Sequence, residues 1–228
     1  MTHSLVLDDV TKSFGRTSVL EGITLTIDPG ETVAVMGPSG SGKSTLLHCM
    51  SGMLTPTAGS VSFGDLQISA LDDRARSRLR LEEFGFVFQD SQLLPELTAV
   101  DNVALPAILT GMPRGKARDI AQNLLAQLGI DVLAYKRPGQ VSGGQAQRIA
   151  IARALAGSPS IVFADEPTGA LDQTTGQEVM QLLTAVAANN GTTLVVVTHD
   201  VAVASWLDRR VEIRDGIIHN DQMMRGVR

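Results

Sequence analysis

The stretch GPSGSGKST, residues 37–45, decides the fold class. Its glycines, lysine and serine match the pattern G-x-x-x-x-G-K-[ST], in which a tight loop points several backbone N–H groups at one anion. The apolar run TVAVM (32–36) precedes it, and a stretch with helical spacing of apolar residues follows. Because a phosphate-binding loop joins a strand to a helix, this context predicts a nucleotide-binding α/β protein.

The loop residues have separate predicted roles. Lys43 would reach the outer phosphates of ATP, and the Ser44 hydroxyl would bind Mg²⁺. The residues of this stretch predicted to contact the nucleotide are Gly37, Pro38, Ser39, Gly40, Ser41, Gly42, Lys43, Ser44 and Thr45.

A pair of acids supplies the second half of the predicted site. SIVFADE (160–166) is an apolar run that ends in Asp165 and Glu166. Asp165 could hold Mg²⁺, usually through water, and Glu166 could orient the attacking water or accept its proton. Two acids after a strand can also be a helix N-cap pair, but the intact phosphate loop favours hydrolysis.

The hydrophobic pattern predicts how the rest of the chain is organised. The unbroken apolar runs at 32–36, 160–164 and 193–197 are typical of parallel strands covered on both faces. Three segments near the N-terminus predict a small antiparallel sheet; they are 5–7, 23–27 and 61–63. The fold class is therefore α/β, with an N-terminal β-subdomain and an inserted helical subdomain, and the phosphate loop in this core resembles a P-loop NTPase with a RecA-like parallel core. The predicted boundaries are about 1–90 and 158–228 for the core and about 91–157 for the helical subdomain.

The residues after the phosphate loop predict one buried helix face, made by Leu46, Leu47, Met50 and Met53. Cys49 is the only cysteine of the chain, so no intrachain disulfide can form and a reducing compartment is expected. We interpret Cys49 as helix core and not as a redox or haem ligand.

Composition excludes several classes of protein. Hydrophobic residues make up 43% of the chain, too many for a disordered protein, and the net charge of −5 does not favour nucleic-acid binding. Neither a signal peptide nor an apolar run long enough to span a bilayer is visible. We therefore expect a soluble cytoplasmic chain that serves a membrane only through a partner.

A second glycine stretch, VSGGQ (141–145), starts another predicted helix. Ser142 can cap it, and the N–H groups of Gly143 and Gly144 could bind an anion. An ordinary loop-to-helix start would use the same residues, so the stretch alone leaves both interpretations open.

Together these motifs resemble the ATP-binding-cassette (ABC) family of ATPases, over essentially the whole chain. VSGGQ lies where that family has its LSGGQ signature, and Gln89 after FGFVF is similar to the family's Q-loop glutamine. Ala170 to Asp172 resemble the D-loop, and His199 resembles the switch histidine. Phe14 lies where the family places an aromatic that stacks on adenine, although it could instead be a core residue.

The resemblance implies a head-to-tail homodimer that encloses two ATP molecules, each between the phosphate loop of one chain and the signature of the other. The nucleotide contacts that it adds are Phe14, Ser142, Gly143, Gly144, Gln145 and Asp172. It implies catalytic roles for Glu166, His199, Gln89 and Lys43, and a Mg²⁺ site made by Ser44, Gln89 and Asp165. ATP and Mg²⁺ are the implied cofactors.

Within the family, the stretches 86–106 and 164–172 resemble the MacB-like group, which includes macrolide export, lipoprotein release, haem export and a cell-division ATPase. This implies a partner permease of the MacB or FtsX type at the cytoplasmic face of the membrane, with no nucleic-acid partner and no direct contact with the cargo. Export of haem, an antibiotic or a peptide is the expected activity, with haem or another toxic amphiphile preferred. The alternative is a cell-division ATPase that transmits force without transport. A DNA-repair ATPase or a P-loop kinase fits less well, because their extra modules or acceptor site are not visible.

Two sequence features at the predicted surface each allow two interpretations. The run Leu93, Leu94, Pro95, Leu97 and Val100 follows Gln89 and is interpreted as a permease-docking surface, although core packing is the alternative for each residue. The basic run Arg74, Arg76, Arg78 and Arg80 is interpreted as a solvated helix face balanced by Asp72, Asp73, Glu82 and Glu83, rather than as a lipid-binding patch.

Overall fold

Two β-sheets and seven α-helices make up the computed structural model, which describes residues 3–224. The strands are β1 (Leu5–Phe14), β2 (Thr17–Ile27), β3 (Thr32–Met36), β4 (Ala58–Phe63), β5 (Leu66–Gln67), β6 (Phe84–Val87), β7 (Ile161–Asp165), β8 (Thr193–Thr198), β9 (Arg209–Arg214) and β10 (Ile217–Met223). The helices are α1 (Lys43–Met50), α2 (Asp73–Glu83), α3 (Ala99–Leu109), α4 (Arg114–Gln127), α5 (Gly143–Leu155), α6 (Gln173–Asn190) and α7 (Val201–Ala204).

The larger sheet has the strand order β10-β9-β3-β8-β7-β6. Strands β9, β3, β8, β7 and β6 run parallel, and β10 is an antiparallel edge strand. The predicted parallel core is confirmed. Because the phosphate loop follows β3 and the acid pair follows β7, both motifs leave the sheet at its carboxyl edge, where ligands of such sheets bind.

Strand β3 shows why these runs are continuously apolar. Val33 and Val35 belong to a core shared with the smaller sheet and α1, whereas Ala34 and Met36 belong to a core on the opposite face. Both faces of the sheet are therefore covered, and neither set of alternating side chains reaches solvent.

The predicted N-terminal antiparallel sheet is also confirmed, with the order β2-β1-β4-β5. Leu5 pairs with both Ile27 and Phe63, so the three predicted segments are neighbouring strands. Their buried side chains form one core with Leu46 and Leu47 of α1. This sheet therefore holds the helix that follows the phosphate loop.

Helices α3, α4 and α5 occupy the predicted helical stretch. Their buried side chains belong to the same core as the outer face of the parallel sheet, as Val103, Leu125 and Ile151 illustrate. The helical stretch is therefore packed onto the parallel sheet through one continuous core. The residue boundaries that we predicted for the subdomains stay predictions.

Two expectations about buried surfaces are wrong in part. Met53 does not belong to the apolar face of α1, because the helix ends at Met50 and Met53 lies in the following turn with 37% of its surface exposed. Val100 cannot dock a permease, because it is fully buried in the first turn of α3 and its N–H donates to the Ala134 carbonyl. Leu93 also packs against the core, which leaves Leu94 and Pro95 as the exposed members of that run.

The turn that carries these residues is held by a buried side chain that the sequence did not single out. Asn102 is fully buried; its side-chain oxygen accepts from the Leu94 N–H, and its amide donates to the carbonyls of Leu94, Leu97 and Thr98. A buried amide with all these partners fixes the turn firmly, since an unpaired one would be costly.

Cys49 of α1 and the arginines of α2 lie in different environments. Cys49 is buried in the helix core, as predicted, and burial raises the pKa of its thiol to about 11. Of the basic run in α2, Arg78 pairs with Glu82 as expected of a solvated face, whereas Arg80 donates to the Gly52 carbonyl and anchors the helix. Among residues 3–224, no helix combines the length and the apolarity needed to cross a membrane.

Candidate nucleotide-binding site

The phosphate loop has the conformation that its glycines permit. Gly42 immediately precedes α1 and has φ of 99°, in the region that L-residues rarely adopt. A Cβ atom there would lie 2.8 Å from the Val19 carbonyl oxygen, so a side chain is also excluded by space. The loop and the start of α1 line a cavity of about 260 Å³. A loop that opens onto a helix N-terminus suits an anionic phosphate group.

Lys43 lies across this loop with only 8% of its surface exposed. Its ammonium donates to the carbonyls of Gly37 and Pro38, both at 2.9 Å. An ammonium has three donors, so one remains for a phosphate oxygen. The hydroxyl of Ser41 is buried and has no hydrogen-bond partner among the described residues. The loop therefore offers unused polar groups where a phosphate is expected.

Two oxygen atoms are placed as a Mg²⁺ site requires. Ser44 Oγ donates to Asp165 Oδ1 at 3.2 Å, which joins the start of α1 to the end of β7. Burial raises the pKa of Asp165, partly offset by the Ser44 hydrogen bond. No group of three or more His, Cys, Asp or Glu side chains around a possible metal occurs within residues 3–224. These residues fit Mg²⁺ that arrives with nucleotide, because protein Mg²⁺ sites often use one carboxylate and complete their shell with phosphate and water.

The raised pKa of Asp165 predicts opposite effects of Asp165→Asn on stability and on binding. Because the ionised carboxylate is disfavoured in the folded chain, the neutral amide should raise the melting temperature of nucleotide-free protein. This gain should be absent at pH values below the ordinary aspartate pKa and grow as the pH rises through the raised one. Mg²⁺-dependent nucleotide affinity should fall about 10- to 100-fold. Thermal melts from pH 3.5 to 8, with EDTA or with Mg-ATP, would measure both effects.

The matched control for that prediction is Asp131→Asn, which changes an exposed aspartate in the turn after α4. It should leave the effect of Mg²⁺ on nucleotide binding unchanged, because Asp131 lies outside the predicted metal site. If Asp165→Asn kept the full Mg²⁺ dependence of nucleotide binding, the metal role of Asp165 would be wrong.

Glu166 and His199 meet beside the acid strand. They follow the adjacent parallel strands β7 and β8, and His199 Nδ1 lies 2.8 Å from Glu166 Oε1. The Glu166 backbone has φ of 47° and its N–H donates to the Val197 carbonyl at 2.9 Å. His199 Nδ1 is the donor of this hydrogen bond in the tautomer that carries a proton on that nitrogen. The Glu166 side chain is thereby oriented before any substrate binds.

Gln89 follows β6 and is exposed. Its side chain lies against Gly169, where a Cβ atom would come within 2.9 Å of the Gln89 amide nitrogen. Gly169 belongs to the loop after Glu166. Backbone N–H groups of this loop donate to the carbonyls of Glu166 and Thr168. The structure therefore brings Gln89 to the loop that carries the predicted base, and its contact with magnesium stays a prediction.

The second glycine stretch forms a capped helix start. Ser142 Oγ accepts from the Gln145 N–H at 3.3 Å, and Gln145 Oε1 accepts from the Ser142 N–H at 2.9 Å. The predicted capping role of Ser142 is confirmed. A Cβ atom on Gly144 would lie 2.4 Å from Thr175 Cγ2, so only glycine allows this close approach to α6. Asp172 caps α6 by accepting from Thr175, which lowers the pKa of that carboxyl.

Phe14 is not a core residue. Half of its surface is exposed, and the Lys12 ammonium lies 5.2 Å from its ring centroid. Lys12 is itself held by the Thr55 carbonyl at 2.7 Å. The Lys12 ammonium lies over the ring as in a cation–π contact, and the exposure of the ring leaves it accessible to a ligand; the adenine role of Phe14 stays a prediction.

Sequence reasoning missed two polar residues of α5. Gln147 donates to the Phe88 carbonyl at 2.9 Å, and Arg153 donates to the carbonyls of Ser91 and Gln92. Both side chains connect α5, the helix that begins in the signature VSGGQ and is called the signature helix below, to the loop that contains Gln89. No local pattern marks them, because their partners lie 59 to 62 residues away in the chain.

This fold and site define a P-loop ATPase. Residues 20–169 match the family described as "ABC transporter", and the chain therefore belongs to the ABC transporter family, as an ATP-binding domain. It is 45% identical over 225 residues to the "Lipoprotein-releasing system ATP-binding protein LolD" of Geobacter metallireducens, which covers 97% of this chain and 100% of the relative. It is 48% identical over 219 residues to the "Macrolide export ATP-binding/permease protein MacB" of Marinobacter nauticus, which covers 94% of this chain. The chain spans about a third of that relative's length.

A solved structure extends the likeness to three dimensions. The chain resembles the dimeric ATP-binding cassette MJ0796, described in a post-hydrolysis state bound to ADP and Pi, with a TM-score of 0.89 and 41% identity. The match covers 97% of this chain and 99% of the cassette.

Proposed function

We propose that this ATPase acts as a head-to-tail homodimer around two ATP molecules and powers a separate membrane permease that exports a lipophilic or toxic compound. One observation carries the dimer: the two glycine stretches are attached to different parts of the fold. The phosphate loop joins β3 to α1, whereas Ser142 and Gly143 are exposed at the start of α5, next to α6. The signature therefore presents a free helix N-terminus that can cover the nucleotide of another chain. The MJ0796 cassette, described as dimeric, supports this arrangement.

Hydrolysis follows from the residues at the sheet edge. Water attacks the γ-phosphorus of ATP, Glu166 accepts the proton of that water, and the bond to the bridging oxygen breaks. Lys43 and the loop N–H groups offset the charge on the transferring phosphoryl group, which is the main source of catalysis in this reaction. His199 holds the Glu166 carboxylate in place through the 2.8 Å hydrogen bond.

Ser44 and Asp165 are the residues that would hold Mg²⁺, with Gln89 as the third predicted contact. Bound there, the metal ion would offset negative charge on the phosphates during the reaction. The hydroxyl of Ser44 and the carboxylate of Asp165 are already 3.2 Å apart, so little rearrangement of the chain is needed.

The signature contributes backbone donors to the same phosphate from the opposite chain. Ser142 and Gln145 cap each other, which fixes the first turn of α5, and Ser142 and Gly143 at this turn are exposed. When the γ-phosphate leaves, these backbone donors lose their anion, and the dimer opens. Nucleotide turnover is thereby converted into motion.

A groove beside β6 is the proposed docking surface for the permease. It has a volume of about 370 Å³ and is lined by Met53, Phe86, Phe88, Gln92, Pro106 and Arg153, among others. Strand β6 is an edge of the parallel sheet, and the groove continues into the loop after Gln89. A short apolar helix at the cytoplasmic surface of the permease fits such a groove and would contact the loop that senses nucleotide.

The proposed cargo is a lipophilic compound. The relatives named above carry the words lipoprotein-releasing and macrolide export, and both describe lipophilic cargo. Their names support outward movement of a lipophilic compound by a membrane partner. The preference for haem stays a prediction.

Recovery of the partner tests the proposal. A tagged Glu166→Gln chain with Mg-ATP would be isolated from detergent-solubilised membranes of the source cells, and its partners identified by mass spectrometry. We expect a permease with few membrane helices and a large external domain. Recovery of soluble partners alone, or of none from membranes, would overturn transport. A division-protein partner without cargo would identify force transmission instead.

The groove is tested by the same recovery with two more variants. Met53→Asp places a charge in the groove, whereas Val132→Asp places one at another exposed apolar position, in the turn after α4. We expect Met53→Asp to lower permease recovery about tenfold or more, because an unpaired carboxylate would be buried in the interface. Val132→Asp should leave recovery unchanged. Equal recovery of both variants would place the permease elsewhere.

A further inference from the structure

The loop after Gln89 has an unusual backbone. Ser91 has φ of 56° and Gln92 has φ of 46°, two successive residues in the left-handed region that favours glycine. Such a conformation persists where surrounding groups determine it, and it is common at functional sites.

Those groups come from the signature helix. Arg153 Nη2 donates to the Ser91 carbonyl at 2.7 Å, and Nη1 donates to the Gln92 carbonyl at 2.6 Å. The guanidinium thus bonds the two residues that have left-handed backbones. Burial lowers the pKa of Arg153, but a guanidinium remains charged at any physiological pH, so both hydrogen bonds are charge-assisted.

Gln147 holds the other end of the loop. It is 2% exposed, and its amide donates to the Phe88 carbonyl at 2.9 Å, immediately before Gln89. The loop segment 88–92 is therefore tied to α5 on both sides of Gln89. The parallel sheet fixes β6 only as far as Val87.

We propose that Gln147 and Arg153 are positioning residues for the ATPase reaction, which hold Gln89 in place from the signature helix. This inference rests on the proposed catalytic role of Gln89. Gln89 should therefore move together with α5. A displacement of the signature helix moves the loop, and the loop moves Gln89 relative to Glu166. Arg153 also lines the groove, so a helix docked there would contact the same tie.

A double-mutant cycle on the isolated chain tests this. Arg153→Met should lower kcat about 10- to 100-fold, since a displacement of the order of 1 Å suffices for such a loss. The ATP affinity should change less than about twofold, because the phosphate loop is untouched. In a Gln89→Ala background, the same substitution should lower kcat by less than about twofold, because residues acting through one group are not additive.

Two further variants separate positioning from folding. Gln147→Met removes the hydrogen-bond donor while keeping a side chain of similar size, and it should show the same non-additivity with Gln89→Ala. It therefore replaces Arg153→Met in the test if that variant fails to fold. Arg148→Met is the matched control, because Arg148 lies on the same helix but pairs with Glu178 of α6. It should lower the melting temperature and leave kcat unchanged in both backgrounds.

The outcomes distinguish this inference from the proposed function. Equal losses of kcat in the two backgrounds would show that Gln147 and Arg153 do not act through Gln89, and an unaltered kcat in Gln89→Ala would show the same. Either result would overturn the positioning role while ATP hydrolysis by Glu166 stands. Failure of the catalytic assignment would appear separately, as retained hydrolysis in Glu166→Gln.

Discussion

Glu166→Gln is expected to lower kcat for ATP hydrolysis by about 10²- to 10⁴-fold, the usual contribution of a general base. The amide has the same shape as the carboxylate but accepts no proton from water at neutral pH. Its oxygen can still accept from His199 Nδ1, so the local geometry of the 2.8 Å contact should persist. ATP affinity should change less than about twofold, because the phosphate loop is unaltered and the effect is confined to the transition state.

Single-turnover hydrolysis and equilibrium binding of a fluorescent ATP analogue would separate these effects. Glu178→Gln is the matched control, since Glu178 is an exposed acid on α6 that pairs with Arg148. That pair should contribute at most about 1 kcal/mol to stability, and its loss should leave turnover intact. Hydrolysis by Glu166→Gln at the parental rate would exclude Glu166 as the base.

The parts of the fold that the sequence predicts are those in which local pattern and environment agree. Residues 32–36 form an unbroken apolar run, and the structure covers both faces of β3. Ser142 and Gln145 have the spacing of a capping box and form one. Such features depend on a few neighbouring residues, so a single sequence contains the information.

The predictions that were wrong, and the contacts that were missed, depend on residues that are distant in the sequence. The run 93–100 is rich in apolar residues, and nothing local shows that Val100 faces the core while Leu94 faces outward. The orientation of Val100 is set by the start of α3, where its N–H donates to the Ala134 carbonyl. The groove likewise combines Met53, Phe86 and Pro106 from three separate segments. The contacts of Arg153 are of the same kind, because its partners are backbone carbonyls, which any residue provides.

A mixture of two defective chains should recover the nucleotide trapping that each lacks, if each ATP lies between two chains. Lys43→Met removes the ammonium that bridges Gly37 and Pro38. Ser142→Asp keeps a good helix cap but places a negative charge where the signature should meet the γ-phosphate. Both chains would carry Glu166→Gln, so that bound ATP remains intact and can be counted. Each chain alone then has one defective half in both composite sites of its homodimer.

In a mixed dimer the two defects fall in the same composite site, and the other site has an unaltered phosphate loop and an unaltered signature. Random pairing in a two-fold dimer makes half of the dimers mixed, each with one good site of two, so the mixture should trap about a quarter of the parental nucleotide per chain. Filter binding of radiolabelled Mg-ATP after gel filtration measures this amount. Ser142→Thr serves as the control, because a hydroxyl cap without added charge should trap ATP by itself. If the mixture trapped no more than the separate variants, both glycine stretches could not belong to one site shared between chains, and the second stretch would be an ordinary helix start.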